Sequence, residues 1–309
     1  MVAAVALVAS ALVSACTSPG SARPAAVSTS DVPPRPFHVA VLGDSYSSGN
    51  GAGHYTKPAA CFRSPLDYGG RFVRALNRGA FHVRATFTDL ACSGAVTADV
   101  IGRGPLHRAA QVRRLPRNTN LVFLTIGGND GGFATIAATC LVGPSLAGIL
   151  GTTPADCDHA LGTAESLVHG GASSTLGHRL RAVLTAIHRR ARAARIVLLG
   201  YPYLINSRTY RYGPVRVGRR LYALQNAADR VGAAVTARLD RGAPARYAFV
   251  STHRLFRGHG LDPGTSTTPG SWLVAPFSTL VAATWYHPRP VGWAAEAALL
   301  VRDAARFGV

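Results

Sequence analysis

One serine in this sequence has neighbours that suit nucleophilic chemistry. The apolar segment Phe37–Gly43 is typical of a buried strand and runs directly into the sequence GDSYSSG, whose first serine is Ser45. In open α/β sheets, ligands bind beyond the carboxyl ends of the strands, which is where this serine would lie. A helix that begins here would favour negative charge, such as the oxyanion that forms when a serine attacks an ester. Taken alone, the same turn is also typical of an ordinary helix N-cap.

Three further segments, each next to a predicted strand or helix, contain other groups that this reaction needs. The sequence ACSGA, with Gly94, follows the second predicted strand, and GGND, with Asn129, follows the third. His287 precedes the last predicted helix. The backbone N–H of Gly94 and the side-chain amide of Asn129 could donate hydrogen bonds to an oxyanion. His287 could take the serine proton and pass it to the leaving alcohol.

Together, these four segments resemble the sequence blocks of the SGNH (GDSL-type) hydrolases, above all secreted actinobacterial esterases and lipases. The four residues that give the family its name would here be Ser45, Gly94, Asn129 and His287. The resemblance runs from about Val39 to the final helix. It implies a serine esterase in which Ser45 attacks the acyl carbon and His287 acts as its base. The N–H groups of Ser45 and Gly94, with the amide of Asn129, would hold the oxyanion, and no metal or cofactor is expected.

The sequence departs from this family at the position three residues before the histidine, where most members have aspartate. That position is Thr284, whose hydroxyl carries no negative charge. The backbone carbonyl of Thr284 could instead accept the Nδ1–H of His287 and fix the useful tautomer, so we expect a Ser–His dyad. The alternative is a carboxylate from elsewhere in the chain, with Asp262 as the first candidate and Glu296 as the second.

The elements that must position these residues alternate between strands and helices. Apolar runs predict five strands, and stripes of apolar residues at helical spacing predict several helices between and after them. The predicted strands are Phe37–Gly43, Val83–Leu90, Leu121–Ile126, Arg195–Leu199 and Arg246–Val250, and the predicted helices are His178–Ala193, Arg219–Leu239 and Pro290–Phe307. This alternation predicts a parallel sheet covered on both faces. The family resemblance implies a three-layer α/β/α sandwich with the flavodoxin-like strand order 2-1-3-4-5.

Two long segments do not fit the alternation. Ala137–Ser174 is rich in Gly, Thr and Ser, and Arg257–Ala283 has Gly, Pro and Thr around Trp272, Leu273 and Phe277. Long loops in compact domains are often functional, so both are predicted to shape a substrate cleft, and the first could form a lid. The alternative is surface decoration with no part in the chemistry.

The N-terminus has the pattern of an export signal. Residues 1–16 are small and apolar and end in the sequence VSAC, which resembles a bacterial lipobox with Cys16 as the lipidated residue. An ordinary signal peptide with an incidental cysteine is the alternative. Residues 17–36 are rich in Ser, Pro and Ala and are predicted as a flexible linker, and residues 37–309 as the hydrolase domain. We expect an exported protein, either anchored to the cell surface or secreted.

Four cysteines remain after Cys16, and an even number in an exported protein suggests two disulfides. They are Cys61, Cys92, Cys140 and Cys157. Of the three possible pairings, Cys61–Cys92 with Cys140–Cys157 closes loops of modest length and is preferred. A zinc site is the alternative, although no Cys-x-x-Cys or paired-histidine spacing supports it.

The chain is strongly basic, with 33 Lys and Arg against 14 Asp and Glu and a formal net charge of +19. The positive residues are almost all arginine and are spread over many segments, which disfavours a nucleic-acid partner. A basic surface could still attract anionic lipid headgroups or cell-wall polymers. Because no internal apolar stretch reaches 18 residues, no internal transmembrane helix is predicted. We expect a monomer whose partners are an ester substrate and, through the lipid anchor, a membrane.

These observations favour an exported serine hydrolase of carboxylic esters, in particular of fatty-acyl or lipid esters. The apolar loop around Trp272 and the expected membrane anchor favour the fatty-acyl version. A second hypothesis keeps the catalytic serine but acts on glycans of the cell wall or the extracellular space, as a deacetylase or an acyltransferase. A third is a non-catalytic surface binding protein on an inactive hydrolase scaffold, which only the missing aspartate supports.

Overall fold

The computed structural model describes residues 33–79, 81–102, 104–106, 108–142, 148–263 and 268–309. The predicted signal segment, the candidate lipidation site Cys16 and all but the last residues of the predicted linker lie outside the described residues. Residues Pro34–Val309 form one structural unit. Within the described residues, no helix is long and apolar enough to span a bilayer.

Five parallel strands form a single sheet with the order β2-β1-β3-β4-β5. The strands are β1 (Arg35–Gly43), β2 (Val83–Asp89), β3 (Leu121–Thr125), β4 (Arg195–Leu199) and β5 (Tyr247–Val250). Both the parallel sheet and its order agree with the sequence analysis. The first strand begins two residues before the predicted start, because Arg35 already pairs with Val83 of β2.

Helices cover both faces of the sheet and form the outer layers. They are α1 (Ser45–Ser48), α2 (Tyr68–Arg78), α3 (Thr97–Ile101), α4 (Gln111–Arg114), α5 (Phe133–Ile136), α6 (Pro154–Val168), α7 (Thr175–Arg190), α8 (Val217–Gly242) and α9 (Pro290–Arg302). Successive residues of a strand face opposite sides of a sheet. Val41 of β1 therefore packs in the core towards α2 and α9, while Leu42 packs in the core towards α7 and α8.

One predicted loop proves to contain a helix. The sequence analysis interprets Ala137–Ser174 as a long loop, but α6 occupies most of its second half. Thr153 caps this helix through a reciprocal capping box with Asp156, and Pro154 stands in its first turn, where a missing N–H costs nothing. Its buried face includes Leu161. The Gly, Thr and Ser content of the segment hid this start signal, because those residue types are otherwise typical of loops.

Two disulfides form, Cys61–Cys92 and Cys140–Cys157, in the pairing that the sequence analysis preferred. They leave none of these thiols for a zinc site. The first disulfide joins the chain after α1 to the chain after β2, where the backbone N–H of Ser93 also donates to the carbonyl of Cys61 at 3.0 Å. The second joins the turn that follows α5 to α6. Both bonds therefore hold segments at the carboxyl edge of the sheet.

Candidate active site

Ser45 is the first residue of α1 and lies at the carboxyl end of β1, an inner strand between β2 and β3. The side chain of Asp44 caps this short helix by accepting from the backbone N–H of Tyr46 at 2.9 Å. Gly43 makes the tight turn possible, since its φ is +118° and a Cβ there would lie 2.2 Å from the carbonyl oxygen of Thr125 in β3. Ser45 is buried in this turn, so its hydroxyl is held near the sheet edge.

The two other predicted donor segments follow the strands on either side of β1. Gly94 follows β2 in a turn where its φ is +81°, which favours glycine. Asn129 follows β3, and its side-chain amide donates to the carbonyl of Ala95 at 3.0 Å. This hydrogen bond joins the two segments directly. The strand order 2-1-3 thus brings the chain after β2 and the chain after β3 together beside Ser45.

His287 arrives from the far end of the chain and packs against the α1 region. Its ring lies 4.8 Å from the ring of Tyr46, centroid to centroid, and the Tyr46 hydroxyl donates to the carbonyl of Tyr286 at 2.6 Å. Gly51 leaves room for this contact, because a Cβ there would lie 3.3 Å from the Cβ of His287 and 2.4 Å from the carbonyl oxygen of Pro288. The residue next to Ser45 therefore fixes the position of His287.

The ring of His287 is buried, and neither ring nitrogen has a hydrogen-bond partner among the described residues. Burial lowers the pKa of His287 to about 4, although the nearby carbonyls of Thr284 and Trp285 act to raise it. The carbonyl of Thr284 accepts the backbone N–H of His287 at 3.2 Å. Thr284 thus lies beside His287 as expected, but its carbonyl does not form a regular hydrogen bond with the ring.

Neither candidate carboxylate is among the groups that shift the pKa of His287. Asp262 is exposed, and its backbone N–H donates to the hydroxyl of Thr268 at 2.9 Å. Glu296 is buried in α9, and burial raises its pKa to about 8. It acts on the buried hydroxyl groups of Tyr46 and Tyr68, whose pKa values it helps to raise.

A hydrogen-bond network that the sequence analysis missed links the serine turn to the Asn129 loop. The hydroxyl of Tyr201, just after β4, donates to the carboxyl group of Asp44 and accepts from the backbone N–H of Gly128 at 2.8 Å. Burial raises the pKa of Asp44 to about 7, whereas the hydrogen bonds from Tyr201 and Tyr46 lower it. The one available signal was position, because Tyr201 lies two residues after the end of a buried strand.

Asp130, next to Asn129, anchors the same loop from the other side. Its carboxylate accepts from the backbone and the hydroxyl of Thr97 at 2.9 and 2.6 Å and from Arg179 at 2.8 Å. These contacts join the start of α3 to α7 through the Asn129 loop. The position of Asn129 is therefore fixed by its two neighbours, Gly128 and Asp130, as well as by its own amide.

An apolar cavity of about 110 Å³ begins beside Tyr46. It lies between the carboxyl ends of the sheet, at Ile126, Leu199 and Phe249, and helices α6, α7 and α8. Its lining is predominantly apolar and includes Phe133, Ile136, Leu167, Leu176, Leu224 and Tyr201. Asp229 and His253, which pair at 3.2 Å, are the ionisable groups of this lining besides tyrosine. The cavity can therefore accept an apolar group beside Tyr46, the residue after Ser45.

Comparisons with known proteins show the family to which this chain belongs. A family model described as the GDSL-like lipase/acylhydrolase family matches residues 41–295. The chain is 36% identical over 256 residues to a lipase of Streptomyces rimosus, covering 81% of this chain and 80% of the relative. It is 32% identical over 255 residues to Lipase 1 of Streptomyces coelicolor, with 81% and 80% covered.

Two solved structures are also similar, and both share 32% of their sequence with this chain. An extracellular lipase from Streptomyces rimosus superposes with a TM-score of 0.62, covering 87% of this chain and 99% of that one. A phospholipase A1 from Streptomyces albidoflavus NA297 gives the same TM-score and covers 87% of this chain and 98% of that one. This chain therefore belongs to the GDSL-like lipase/acylhydrolase family and is a lipase-type carboxylic ester hydrolase.

Proposed function

We propose that this member of the GDSL-like lipase/acylhydrolase family hydrolyses fatty-acyl esters through an acyl-enzyme formed on Ser45, with His287 as the base. The observation that supports this most is the convergence of the Ser45, Asn129 and His287 segments at one edge of the sheet, beside an apolar cavity. A nucleophile, a proton acceptor and N–H donors in one place are the groups that acyl transfer needs.

In the proposed mechanism, Oγ of Ser45 attacks the acyl carbon of the ester while its proton passes to Nε2 of His287. Burial lowers the pKa of His287 to about 4, so the ring is neutral at ordinary pH and able to accept this proton. The protonated ring then donates to the departing alcohol, which leaves the acyl group on Ser45. Water, deprotonated by the same ring, hydrolyses this ester and restores free Ser45.

The oxyanion of each tetrahedral intermediate would accept hydrogen bonds from the N–H groups of Ser45 and Gly94 and from the amide of Asn129. The N–H of Ser45 belongs to the start of α1, where negative charge is favoured. The amide of Asn129 gives one N–H to Ala95 and has a second that could donate to the substrate. Loss of one such donor typically lowers kcat by about 100- to 1000-fold.

We further propose that Ser45 and His287 work as a dyad, with the backbone at Thr284 in place of a carboxylate. The carbonyls of Thr284 and Trp285 favour the protonated ring, whereas no carboxylate of the described residues contributes to its pKa. A small rotation of the ring towards the Thr284 carbonyl would complete the hydrogen bond to Nδ1. Catalytic hydrogen bonds are often poorly aligned before substrate binds, which is compatible with this arrangement.

The apolar cavity supports a fatty-acyl substrate over an acetylated glycan. Binding of an acyl chain becomes more favourable by about 0.8 kcal/mol for each CH₂ group that is buried. A sugar would instead need polar partners for its hydroxyl groups, and the lining is mostly aliphatic and aromatic. The apolar lining therefore supports acyl chains longer than acetyl as substrates.

A test of the function is hydrolysis of p-nitrophenyl esters from acetate to palmitate by the wild type, Ser45→Ala and the matched control Ser48→Ala. We expect activity to rise with chain length, to vanish in Ser45→Ala and to persist in Ser48→Ala. Activity that survives in Ser45→Ala would contradict the proposed nucleophile. A preference for acetate alone would favour the glycan deacetylase.

For the N-terminal region we propose export, lipidation at Cys16 and a tether that leads into the hydrolase domain of residues 37–309. The sequence VSAC and the Ser-, Pro- and Ala-rich stretch after it support this. Mass spectrometry of the protein from its native membrane tests it. A soluble form that starts downstream of Cys16 would contradict the anchor but not the export.

A further inference from the structure

We propose that residues 276–283, named here the docking loop, place the enzyme on a lipid–water interface with the active site against the lipid. This inference rests on the proposed function, because it assigns the surface through which that same site meets its substrate. The docking loop is a surface of the fold that has no role in the proposed chemistry, and the lipid is its proposed partner.

The docking loop exposes large apolar side chains to solvent. Leu280 is fully exposed, Phe277 is 52% exposed and Val281 is 46% exposed, all within five residues. The loop contains no charged residue, and Arg289 is the only charged residue between Asp262 and Glu296. Clusters of apolar side chains on a solvent-exposed surface are typical of sites that bind a protein or a membrane.

Internal hydrogen bonds hold these side chains outward. The backbone N–H and the hydroxyl of Thr284 both donate to the carbonyl of Val281, at 2.9 and 2.7 Å. The indole N–H of Trp285 donates to the carbonyl of Thr279 at 3.1 Å, and its ring packs on Phe277 with 4.6 Å between centroids. The apolar groups are thus presented by a braced turn, which loses little conformational entropy when it binds.

The docking loop is directly connected to the active site. The carbonyl of Ala283 accepts from the side chain of Asn50, the residue after the turn of α1, at 2.8 Å. The chain then passes through Thr284 to His287, whose carbonyl accepts from the backbone N–H of Val274 at 2.8 Å. The docking loop therefore ends four residues before the catalytic base.

Charge favours a lipid surface over a second copy of the chain as the occupant. Two copies that each carry a net charge of +19 repel one another. The same charge attracts the protein to anionic lipid, and an uncharged apolar loop can then enter the headgroup region. A lipase also finds its substrate concentrated at such an interface, so one surface would serve both binding and delivery.

Vesicle binding tests the proposal in the Ser45→Ala background, where no hydrolysis occurs. The probes are sonicated vesicles of phosphatidylcholine alone and of phosphatidylcholine with phosphatidylglycerol, at low and high salt. We expect Leu280→Ser with Val281→Ser to lower the partition coefficient at least about tenfold at high salt, where charge attraction is screened. The matched control is Ile101→Ser, which removes an exposed apolar residue at the end of α3 and should bind as well as its parent.

With Ser45 intact, the double variant should hydrolyse soluble p-nitrophenyl acetate normally and vesicle-bound long-chain esters at least about tenfold more slowly. Unchanged vesicle binding would overturn the docking proposal. If the double variant instead changes the monomer–dimer ratio in sedimentation and leaves vesicle binding unchanged, the loop forms a contact between copies of the chain. That result would also overturn the docking proposal. Failure of the proposed function is seen separately, as acetate hydrolysis that persists in Ser45→Ala.

Discussion

The ring of His287 is kept neutral by burial rather than by a partner. An unperturbed histidine titrates near 6.5, and burial lowers this pKa to about 4. A neutral ring can accept the serine proton without first losing one of its own. The cost falls on the protonated state that follows, which no carboxylate of the described residues stabilises. The pH profile tests whether the free ring is neutral, and the carboxylate variants test whether a carboxylate stabilises the protonated ring.

The acid limb of the pH profile is expected to be low. In the proposed mechanism only neutral His287 accepts the serine proton, so kcat/KM for a soluble ester should stay level down to about pH 5 and fall near pH 4. Stopped assays between pH 3.5 and 8 on p-nitrophenyl butyrate measure this. Circular dichroism at each pH is the control for unfolding, and an acid limb near 6.5 in folded protein would contradict the burial argument.

Removal of either candidate carboxylate should leave catalysis nearly intact. Asp262→Asn and Glu296→Gln are each expected to keep kcat within about tenfold of the wild type, since neither acts on the pKa of His287. Ser45→Ala provides the reference for complete loss. A decrease of several orders of magnitude in one folded variant would identify a triad and rule out the dyad.

At the scale of elements, Tyr201 connects two of the segments that build the site. Its hydroxyl joins Asp44, the cap of α1, to Gly128 in the loop after β3. Tyr201 does not touch the reacting atoms, so it is a positioning residue. It keeps Ser45 and Asn129 at a fixed separation.

Tyr201→Phe should lower kcat by about 10- to 100-fold with little change in KM, because one buried hydrogen bond to a carboxyl group is worth about 1.5–3 kcal/mol. Tyr203→Phe is the matched control, because its hydroxyl bonds to Asn226 at 2.8 Å rather than to the serine turn. Steady-state kinetics on a short ester distinguish the two. Equal kinetics in both variants would show that Tyr201 serves only the fold.

The sequence predicted the elements whose signal is local. β1 and the turn at Ser45 stand next to each other in the chain, and glycine and aspartate mark that turn. Tyr201 could not be assigned a role, because its partners lie 157 and 73 residues away and nothing near it marks the contact. The sequence analysis did not predict the helix α6, because many residue types in this segment are individually typical of loops. The signal for its start is the spacing of Thr153 and Asp156, which form a reciprocal capping box.

At the scale of the whole molecule, the three layers leave a cavity where the sheet, α6, α7 and α8 meet. The five-stranded order was implied by family resemblance. The sequence analysis also predicted that Ala137–Ser174 would shape a substrate cleft, and Leu167 of that segment lines the cavity, but no pattern of residues predicted the extent of the space. A cavity forms where side chains from elements that are distant in sequence leave a space unfilled. The periodicity of a sequence predicts only the face of its element on which each side chain lies.

Filling the cavity should change chain-length preference without affecting the chemistry. Leu167→Trp adds bulk to the lining, so palmitate hydrolysis is expected to fall at least about tenfold while acetate hydrolysis stays within a factor of about two. Leu299→Trp, on the opposite face of the sheet, is the control for bulk alone. Equal losses on acetate and palmitate would contradict an acyl site in this cavity.

Glu296 makes the stability of the fold depend on pH. Its pKa is about 8 in the folded chain and near 4.5 in the unfolded chain, so unfolding releases a proton anywhere between those values. The stabilisation from the protonated carboxyl is complete below pH 4.5 and is lost as the pH rises through 8. Urea unfolding at pH 5 and pH 8 should show a decline in the free energy of unfolding that becomes smaller in Glu296→Gln. Part of the decline should remain, because burial also raises the pKa values of Asp44 and Asp89. The buried carboxyl of Glu296 thus makes the folded chain more stable at mildly acidic than at mildly basic pH.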